Sequence, residues 1–202
     1  MFKRISILLA VFVVSMSAQA TLIDFTDQSW EQAISAGSGT TATIGNVTLA
    51  TNTGSLTFNR ADKGGCVAGQ PANGLTCDGD GIGINNDEIT QGGSQQITIS
   101  FQQAVNITDI FLLDLFSSER TGEIAMIDGV QYSGPNLLAG GFFETGFNGL
   151  GITSILFSGN FDSFSDYAVA AVEVSAVPLP GAAILFGSAL LGFFGFKRRR
   201  TA

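Results

Sequence analysis

The stretch "QQITISFQQAVNITDIFLLDLF", residues 95–116, carries the strongest strand signal in the chain. Ile97, Ile99 and Phe101 alternate with polar residues, and this period of two is typical of a strand with one buried face. From Asn106 to Phe116 the apolar residues are more continuous, which is typical of a central strand. We therefore predict two strands here, separated by the polar residues between the two apolar runs.

Turn-rich segments separate several further strand patterns. They lie at residues 42–50, 55–59, 123–132, 152–158 and 167–175. Asp128-Gly129 predicts a hairpin turn within one of them. Only Thr26–Ile34 has the character of a short helix, with Thr26 or Asp27 as its cap. The spacing of these patterns predicts an all-β fold, an antiparallel jelly-roll-like sandwich of eight or nine strands.

The N-terminus has the pattern of a secretory signal peptide. Lys3 and Arg4 precede ten largely apolar residues, and Ala18-Gln19-Ala20 has the A-x-A form that signal peptidase cleaves. We predict that residues 1–20 are a signal peptide for Sec export. The mature chain would then begin at Thr21.

A second apolar segment, Leu179–Phe196, lies near the C-terminus and carries no charge. As a helix with a rise of about 1.5 Å per residue it spans about 27 Å, close to the ~30 Å hydrocarbon core of a bilayer. Four cations follow at once: Lys197, Arg198, Arg199 and Arg200. The positive-inside rule places such a basic tail in the cytoplasm. We predict a transmembrane helix that anchors the protein in the inner membrane before processing.

A short proline motif precedes that helix: Val177, Pro178, Leu179 and Pro180. Over residues 177–202, the order of motif, apolar helix and terminal cations resembles the PEP-CTERM sorting signal in its Val-Pro-Leu-Pro variant. The resemblance implies a partner, the membrane protease-transferase exosortase, which cuts near the motif and releases or re-attaches the protein. It also implies a final location at the cell surface or outside the cell. An ordinary single-pass tail anchor is the alternative.

Between these ends, residues 21–176 have the length of a single domain. This segment holds all seventeen acidic residues of the chain and only three of its nine basic residues, so its net charge is −14. Such a field repels phosphate backbones, and nucleic acid is not an expected partner.

The chain has two cysteines, Cys66 and Cys77, with ten residues between them. An exported protein meets an oxidising compartment, where a single pair of cysteines normally forms a disulfide. We therefore predict a Cys66–Cys77 disulfide.

The acidic stretch "CDGDGIGINNDEI", residues 77–89, is the candidate metal site. Four of its side chains offer the hard oxygen ligands that suit calcium: Asp78, Asp80, Asp87 and Glu88. An EF-hand is excluded, because Ile82 and Ile89 stand where that loop needs oxygen ligands. A calcium site of another kind is one hypothesis. The alternative is a solvated acidic loop whose Asp and Asn residues serve turn geometry.

No catalytic motif is evident, and the chain contains no histidine, which excludes Ser-His and Cys-His dyads. We therefore expect no enzyme activity and assign no catalytic residue. Phe142, Phe143 and Phe147 could stack on sugar rings or belong to the core. Three hypotheses of function stay open: a non-catalytic surface or matrix protein associated with polysaccharide, a secreted hydrolase of such a polymer, and a purely structural matrix component.

Overall fold

The computed structural model describes residues 19–59, 74–85, 88–90, 94–116, 122–134, 141–160, 164–177 and 187. Within these ranges the chain forms one large antiparallel open sheet and one short helix. The prediction of an antiparallel, strand-rich domain is therefore confirmed. All of these elements lie in one compact unit, Ala20–Val177.

Twelve strands and one helix follow one another along the described ranges. Their bounds are β1 Ala20–Asp24, α1 Ser29–Ala36, β2 Thr41–Ile44, β3 Val47–Thr51, β4 Leu56–Asn59, β5 Gly81–Ile84, β6 Ile89–Thr90, β7 Gln96–Leu113, β8 Ile124–Ile127, β9 Val130–Ser133, β10 Phe143–Glu144, β11 Gly149–Gly159 and β12 Asp166–Ala176. The main path through the sheet is β4-β5-β12-β7-β11-β8-β9. The strands outnumber the eight or nine predicted.

Hairpins account for part of that difference. Residues 42–50, predicted as one strand, form a hairpin in which β2 and β3 flank a turn at Gly45 and Asn46. The predicted turn at Asp128 and Gly129 joins β8 to β9. Both of these residues have positive φ, 47° and 78°, as tight two-residue hairpin turns require.

The longest strand, β7, is a single element where the sequence predicted two. It runs for 18 residues, beyond the roughly 3–10 residues usual for a strand. Its first half pairs with β3 and β11, and its second half pairs mainly with β12. Gln102, Gln103 and Ala104, near its middle, are exposed. The polar residues between the two apolar runs therefore mark a change of partner strands and not a loop.

Two register shifts set which side chains of β7 and β12 face the main core. Thr108 is an extra residue on β7, and Ala170 is an extra residue on β12. Each shift moves the side chains beyond it to the opposite face of the sheet. Three facing pairs therefore share the main core: Ile107 with Val174, Ile110 with Val172, and Leu112 with Val169.

The central strands are covered on both faces. On the face away from the main core, Phe111 and Leu113 of β7 form a second apolar cluster with Leu75, Ala170 and Ala171. Burial of both faces explains the nearly continuous apolar sequences of β7 and β12.

Helix α1 begins three residues later than predicted. Trp30 and Ile34, four residues apart, lie on one side of the helix and are buried in the main core. The Trp30 ring packs against Phe25, with ring centroids 5.0 Å apart. This contact connects the helix to the end of β1.

Of the two residues predicted to cap α1, Asp27 bonds to the first residue of the helix, although it does not occupy the position directly before it. The cap position is Gln28, and its side chain makes no capping hydrogen bond. Asp27 instead accepts a hydrogen bond from the backbone N of Ser29 at 2.8 Å. Hydrogen bonds from the Ser29 side chain and backbone lower the pKa of Asp27, because they stabilise its charged form.

Tyr167, at the start of β12, ties three strands together. Its side chain is wholly buried, and its hydroxyl donates to the carbonyl oxygens of Ser158 (2.9 Å) and Met126 (3.3 Å). Burial raises the pKa of Tyr167 above its ordinary value, because it disfavours the phenolate. The stability that this neutral phenol contributes is therefore fully present below about pH 10 and is lost as the pH rises further.

We expect Tyr167→Phe to lower the free energy of unfolding by about 1–3 kcal/mol, because two carbonyl oxygens lose the donor that a wholly buried side chain supplies. Urea denaturation measures the change. Tyr132→Phe, at a half-buried position on β9, is the control and should change stability by less than about 0.5 kcal/mol. Equal effects of the two substitutions would contradict the structural role of the Tyr167 hydroxyl.

Candidate functional site

A network of hydrogen bonds joins the end of β1 to the segment that precedes β5. The Asp24 carboxylate accepts from the backbone N of Thr26 (2.8 Å), the Thr26 hydroxyl (2.6 Å) and the backbone N of Thr76 (2.6 Å). The Thr26 hydroxyl oxygen accepts from the backbone N of Cys77 at 2.9 Å. Thr26 is wholly buried, so its polar groups would be costly to leave unpaired. We call Asp24, Thr26, Thr76 and Cys77 the corner network.

Backbone contacts extend the corner network to the first of the predicted calcium ligands. The carbonyl oxygen of Thr26 accepts from the backbone N of Asp78 (3.0 Å) and of Gly79 (3.2 Å). The Asp78 carboxylate accepts from the backbone N of Gln28 at 3.2 Å. Gln28 precedes the first turn of α1, where a negative charge is favourable. Asp78 thus has a structural contact at the start of the helix.

The other predicted calcium ligands are only partly described. Asp80 and Glu88 are buried, each 8 % exposed, and Asp87 lies outside the described residues. Within the described ranges, no group of three or more His, Cys, Asp or Glu side chains could hold a metal ion. Calcium binding by these residues stays a prediction.

The turn-geometry alternative has direct support at Asn85. Its backbone φ is 70°, a conformation that Asn tolerates better than most residues. Its side-chain oxygen accepts from the backbone N of Ser55 at 3.3 Å. Asn85 therefore ties the end of β5 to the residue before β4.

Cys77 is half-buried and disulfide-bonded. Its predicted partner, Cys66, lies outside the described residues, so the pairing stays a prediction. Leu75, two residues before Cys77, is buried in the second cluster with Phe111 and Leu113. The corner network thus holds residues 74–77 over the face of the sheet that points away from the main core.

The three phenylalanines considered for sugar stacking are all half-buried. Phe142 stacks on Phe111, with ring centroids 5.9 Å apart and planes at 15°. Phe143 and Phe147 pack against the main core. These contacts favour packing as their role over a fully exposed aromatic platform.

Two buried carboxylates, Asp109 and Glu123, anchor backbone segments. One Asp109 oxygen accepts from the backbone N of Ile110 (2.7 Å) and of Gly146 (3.0 Å). Glu123 accepts from the backbone N of Phe116, and the Glu123 backbone N donates to the Phe116 carbonyl oxygen at 3.1 Å. These contacts give both carboxylates a structural explanation.

The two ends of the strand-rich unit lie side by side. Ala20, the last residue of the predicted signal peptide, pairs with Ser175. Val177, the first residue of the predicted sorting motif, is exposed and directly follows β12. The remaining predicted tail residues, Pro178–Pro180 and Lys197–Arg200, lie outside the described residues. So does the predicted span 179–196 apart from Gly187, and among the described residues no helix is long and apolar enough to cross a bilayer.

Comparisons with protein-family models, with curated proteins and with solved structures found no match to this chain. The corner network was not predicted from the sequence, which singled out only two of its members, Thr26 as a candidate helix cap and Cys77 as a disulfide partner. Asp24 and Thr26 form a D-x-T pattern at the end of a strand, which is typical of a turn closed by an Asp side chain. That pattern could have predicted the hydrogen bonds between Asp24 and Thr26, but not those to Thr76 and Cys77, about fifty residues away.

We expect Thr26→Val to lower the free energy of unfolding by about 1–3 kcal/mol, because the change leaves buried polar partners without the hydroxyl. Thr43→Val is a matched control. The Thr43 hydroxyl contacts Thr48 at 3.0 Å on the exposed surface, so its loss should cost less than about 0.5 kcal/mol. Thermal or urea unfolding of both variants gives the comparison, and a Thr26→Val variant as stable as Thr43→Val would refute the role of the network.

Proposed function

We propose that this chain is an exported protein that an exosortase-type enzyme sorts to the cell surface or extracellular matrix. There it acts without catalysis and associates with extracellular polysaccharide. The observation that carries the proposal is the order of the motif Val177–Pro180, the apolar segment Leu179–Phe196 and the basic tail Lys197–Arg200. Signal peptidase would remove residues 1–20, and the C-terminus would stay in the cytoplasm until the tail is processed.

The position of the motif relative to the sheet supports processing of a folded domain. The last paired residue of β12 is Ala176, opposite Val105, and the motif begins at the next residue. A cut beside Pro178–Pro180 would therefore break no hydrogen bond of the sheet. The two prolines favour an extended chain, which is the form that a processing enzyme can reach.

A jelly-roll-like sandwich is the finer architecture that we propose for the domain. Ile99 in the first half of β7 and Ile110 in the second half belong to the same core cluster. This is expected if the two groups of strands that β7 links face each other across that core. Many extracellular carbohydrate-binding modules share such an architecture, which makes polysaccharide a reasonable ligand class by analogy of fold alone.

Processing predicts that the two ends of the mature chain separate in the native host. One epitope tag is placed directly before Thr21 and a second after Ala202. The first tag should reach the cell surface or the medium, while the second stays in the inner membrane, because the helix remains behind after the cut. Both tags recovered together in the inner membrane would instead indicate a simple tail anchor.

Two variants of the basic tail control that experiment, one without the four cations and one that keeps them. Replacing Lys197–Arg200 with glutamine removes the cations and should impair anchoring or processing. Exchanging lysine and arginine within the same four positions keeps the charge and should leave maturation unchanged. Normal maturation of the glutamine variant would exclude the cations from the signal.

The mature protein should bind polysaccharide without breaking it down. The protein recovered from the host is tested on extracellular polysaccharide of that host and on a glycan array, and released sugars are measured in parallel. Binding without release of sugars is the expected result. Release of sugars would favour the hydrolase, and absence of binding would favour a purely structural role.

A further inference from the structure

Several segments meet at the end of the sheet where the chain enters and leaves the domain. Ala176 of β12 pairs with Val105 of β7, and Val105 pairs in turn with Ile152 of β11. The turn between β2 and β3 also lies here, because the carbonyl oxygen of Asn46 accepts from the backbone N of Gln102 at 3.0 Å. We call this surface the chain-exit end and define it by residues 20–21, 45–46, 102–106, 149–154 and 175–177.

The chain-exit end carries no ionisable side chain. After removal of residues 1–20 its one ionisable group is the α-amino group of Thr21, which is mostly cationic at neutral pH. Residues 21–176 as a whole have a net charge of −14, so this surface differs sharply in charge from the rest of the domain. Anionic lipids repel acidic protein surfaces. A surface without acidic side chains can approach such a bilayer with little electrostatic cost.

Large hydrophobic side chains are exposed at the same end. Leu150 is 77 % exposed and Val177 is 40 % exposed. The third large exposed hydrophobic residue among those described, Val130, is 52 % exposed and lies in the hairpin of β8 and β9. Leu150 and Val177 thus lie at one end of the sheet, at the start of β11 and just after the end of β12.

The backbone conformation and hydrogen bonds next to Leu150 hold it in its exposed position. Gly151 has a φ of +66°, a conformation that favours glycine. Its backbone N donates to the Asn106 side-chain oxygen at 3.0 Å, which holds the start of β11 beside β7. The register of these two strands also shifts between Gly149 and Ile152. Leu150 therefore projects from a fixed position and not from a free loop.

We propose that the chain-exit end rests on the bilayer while the tail is uncut, with Leu150 and Val177 in the interfacial layer. The inference rests on the proposed function, because the tail must first anchor the chain. Leu179, where the apolar segment begins, is two residue steps from Val177, a span of at most about 7 Å. β7 lies between β12 and β11, so these two strands are two strand spacings apart, or about 10 Å. Leu150 therefore lies close to the point where the chain enters the membrane.

The length of the apolar segment strengthens this placement. A helix over residues 179–196 spans about 27 Å, slightly less than the ~30 Å hydrocarbon core. A short span leaves little apolar length beyond the hydrocarbon core, so the residues that flank it lie at the membrane surface. This places Val177 at the headgroup layer and Leu150 close to it. The contact would keep Pro178–Pro180 close to the surface, where a membrane enzyme can cut.

Fluorescence quenching by brominated lipids tests the contact on the full chain. Leu150→Trp and Val130→Trp are each reconstituted by the tail into vesicles of phosphatidylcholine and phosphatidylglycerol, with or without bromine on the acyl chains. Both changes are made at exposed positions, and the wild-type chain, whose only tryptophan is the buried Trp30, gives the background. The tryptophan at position 150 should lose about half of its emission or more, since interfacial side chains reach about 5–10 Å into the headgroup–acyl boundary. The tryptophan at position 130 should keep its emission.

Flotation of the same vesicles separates the two proposals. Chains that float with the lipid but show no more quenching at position 150 than at position 130 would overturn the contact and leave the anchor intact. Chains that fail to float would overturn the anchor and the contact together. Strong quenching at both positions would also contradict the proposal, because the domain would then not rest on its chain-exit end.

Discussion

The fold depends on the ladder between β7 and β12, in which one extra residue on each strand sets the face of every later side chain. Without the extra Thr108, Phe111 and Leu113 would turn towards the main core, and Ile110 and Leu112 would turn away from it. The second cluster has room for Phe111 because Ala171 lies opposite it on β12. A large aromatic side chain has no such small partner on the main-core face, where Ile110 faces Val172. The two bulges therefore determine which side chains of β7 and β12 face the main core and which face the second cluster.

Polar contacts fix the arrangement of neighbouring segments, which the apolar pattern alone does not determine. The corner network fastens residues 76–79 to the end of β1, and the Tyr167 hydroxyl joins β12 to β8 and β11. Each involves a wholly buried polar side chain, Thr26 or Tyr167, so each favours one arrangement of neighbouring segments over its alternatives. Asp78 shows how this affects the assignment of function. A carboxylate that looks available for calcium in the sequence already accepts a hydrogen bond at the start of α1.

Period-two patterns predicted the antiparallel strands and the Asp128-Gly129 hairpin, because side-chain alternation and turn chemistry are local properties. They did not predict that β7 is one strand, because Gln102–Ala104 lie exposed inside it and have the polarity of a loop. Nor did they separate the turn at Gly45 from a strand interior, since one glycine is compatible with either. Asp24 escaped notice for another reason: its partner Thr76 is fifty-two residues away. Hydrogen bonds between residues far apart in the chain produce no periodic pattern in the sequence. Nor does any sequence pattern show that Leu150 and Val177 lie at the same end of the sheet.

The pairing of the first strand with the last has a consequence for the proposed tail. β1 pairs with β12, and β12 also pairs with β7, so during the proposed export the sheet could not be completed until residues up to Ala176 had left the export channel. Contacts between the two ends of a chain form slowly, because the closure of a long loop must come first. Immediately beyond Ala176 come the motif and the apolar segment that would stop transfer. A tail at this position would hold the chain at the membrane just when its last strand becomes available, and a cut after Val177 would then release a domain whose ladder is already closed.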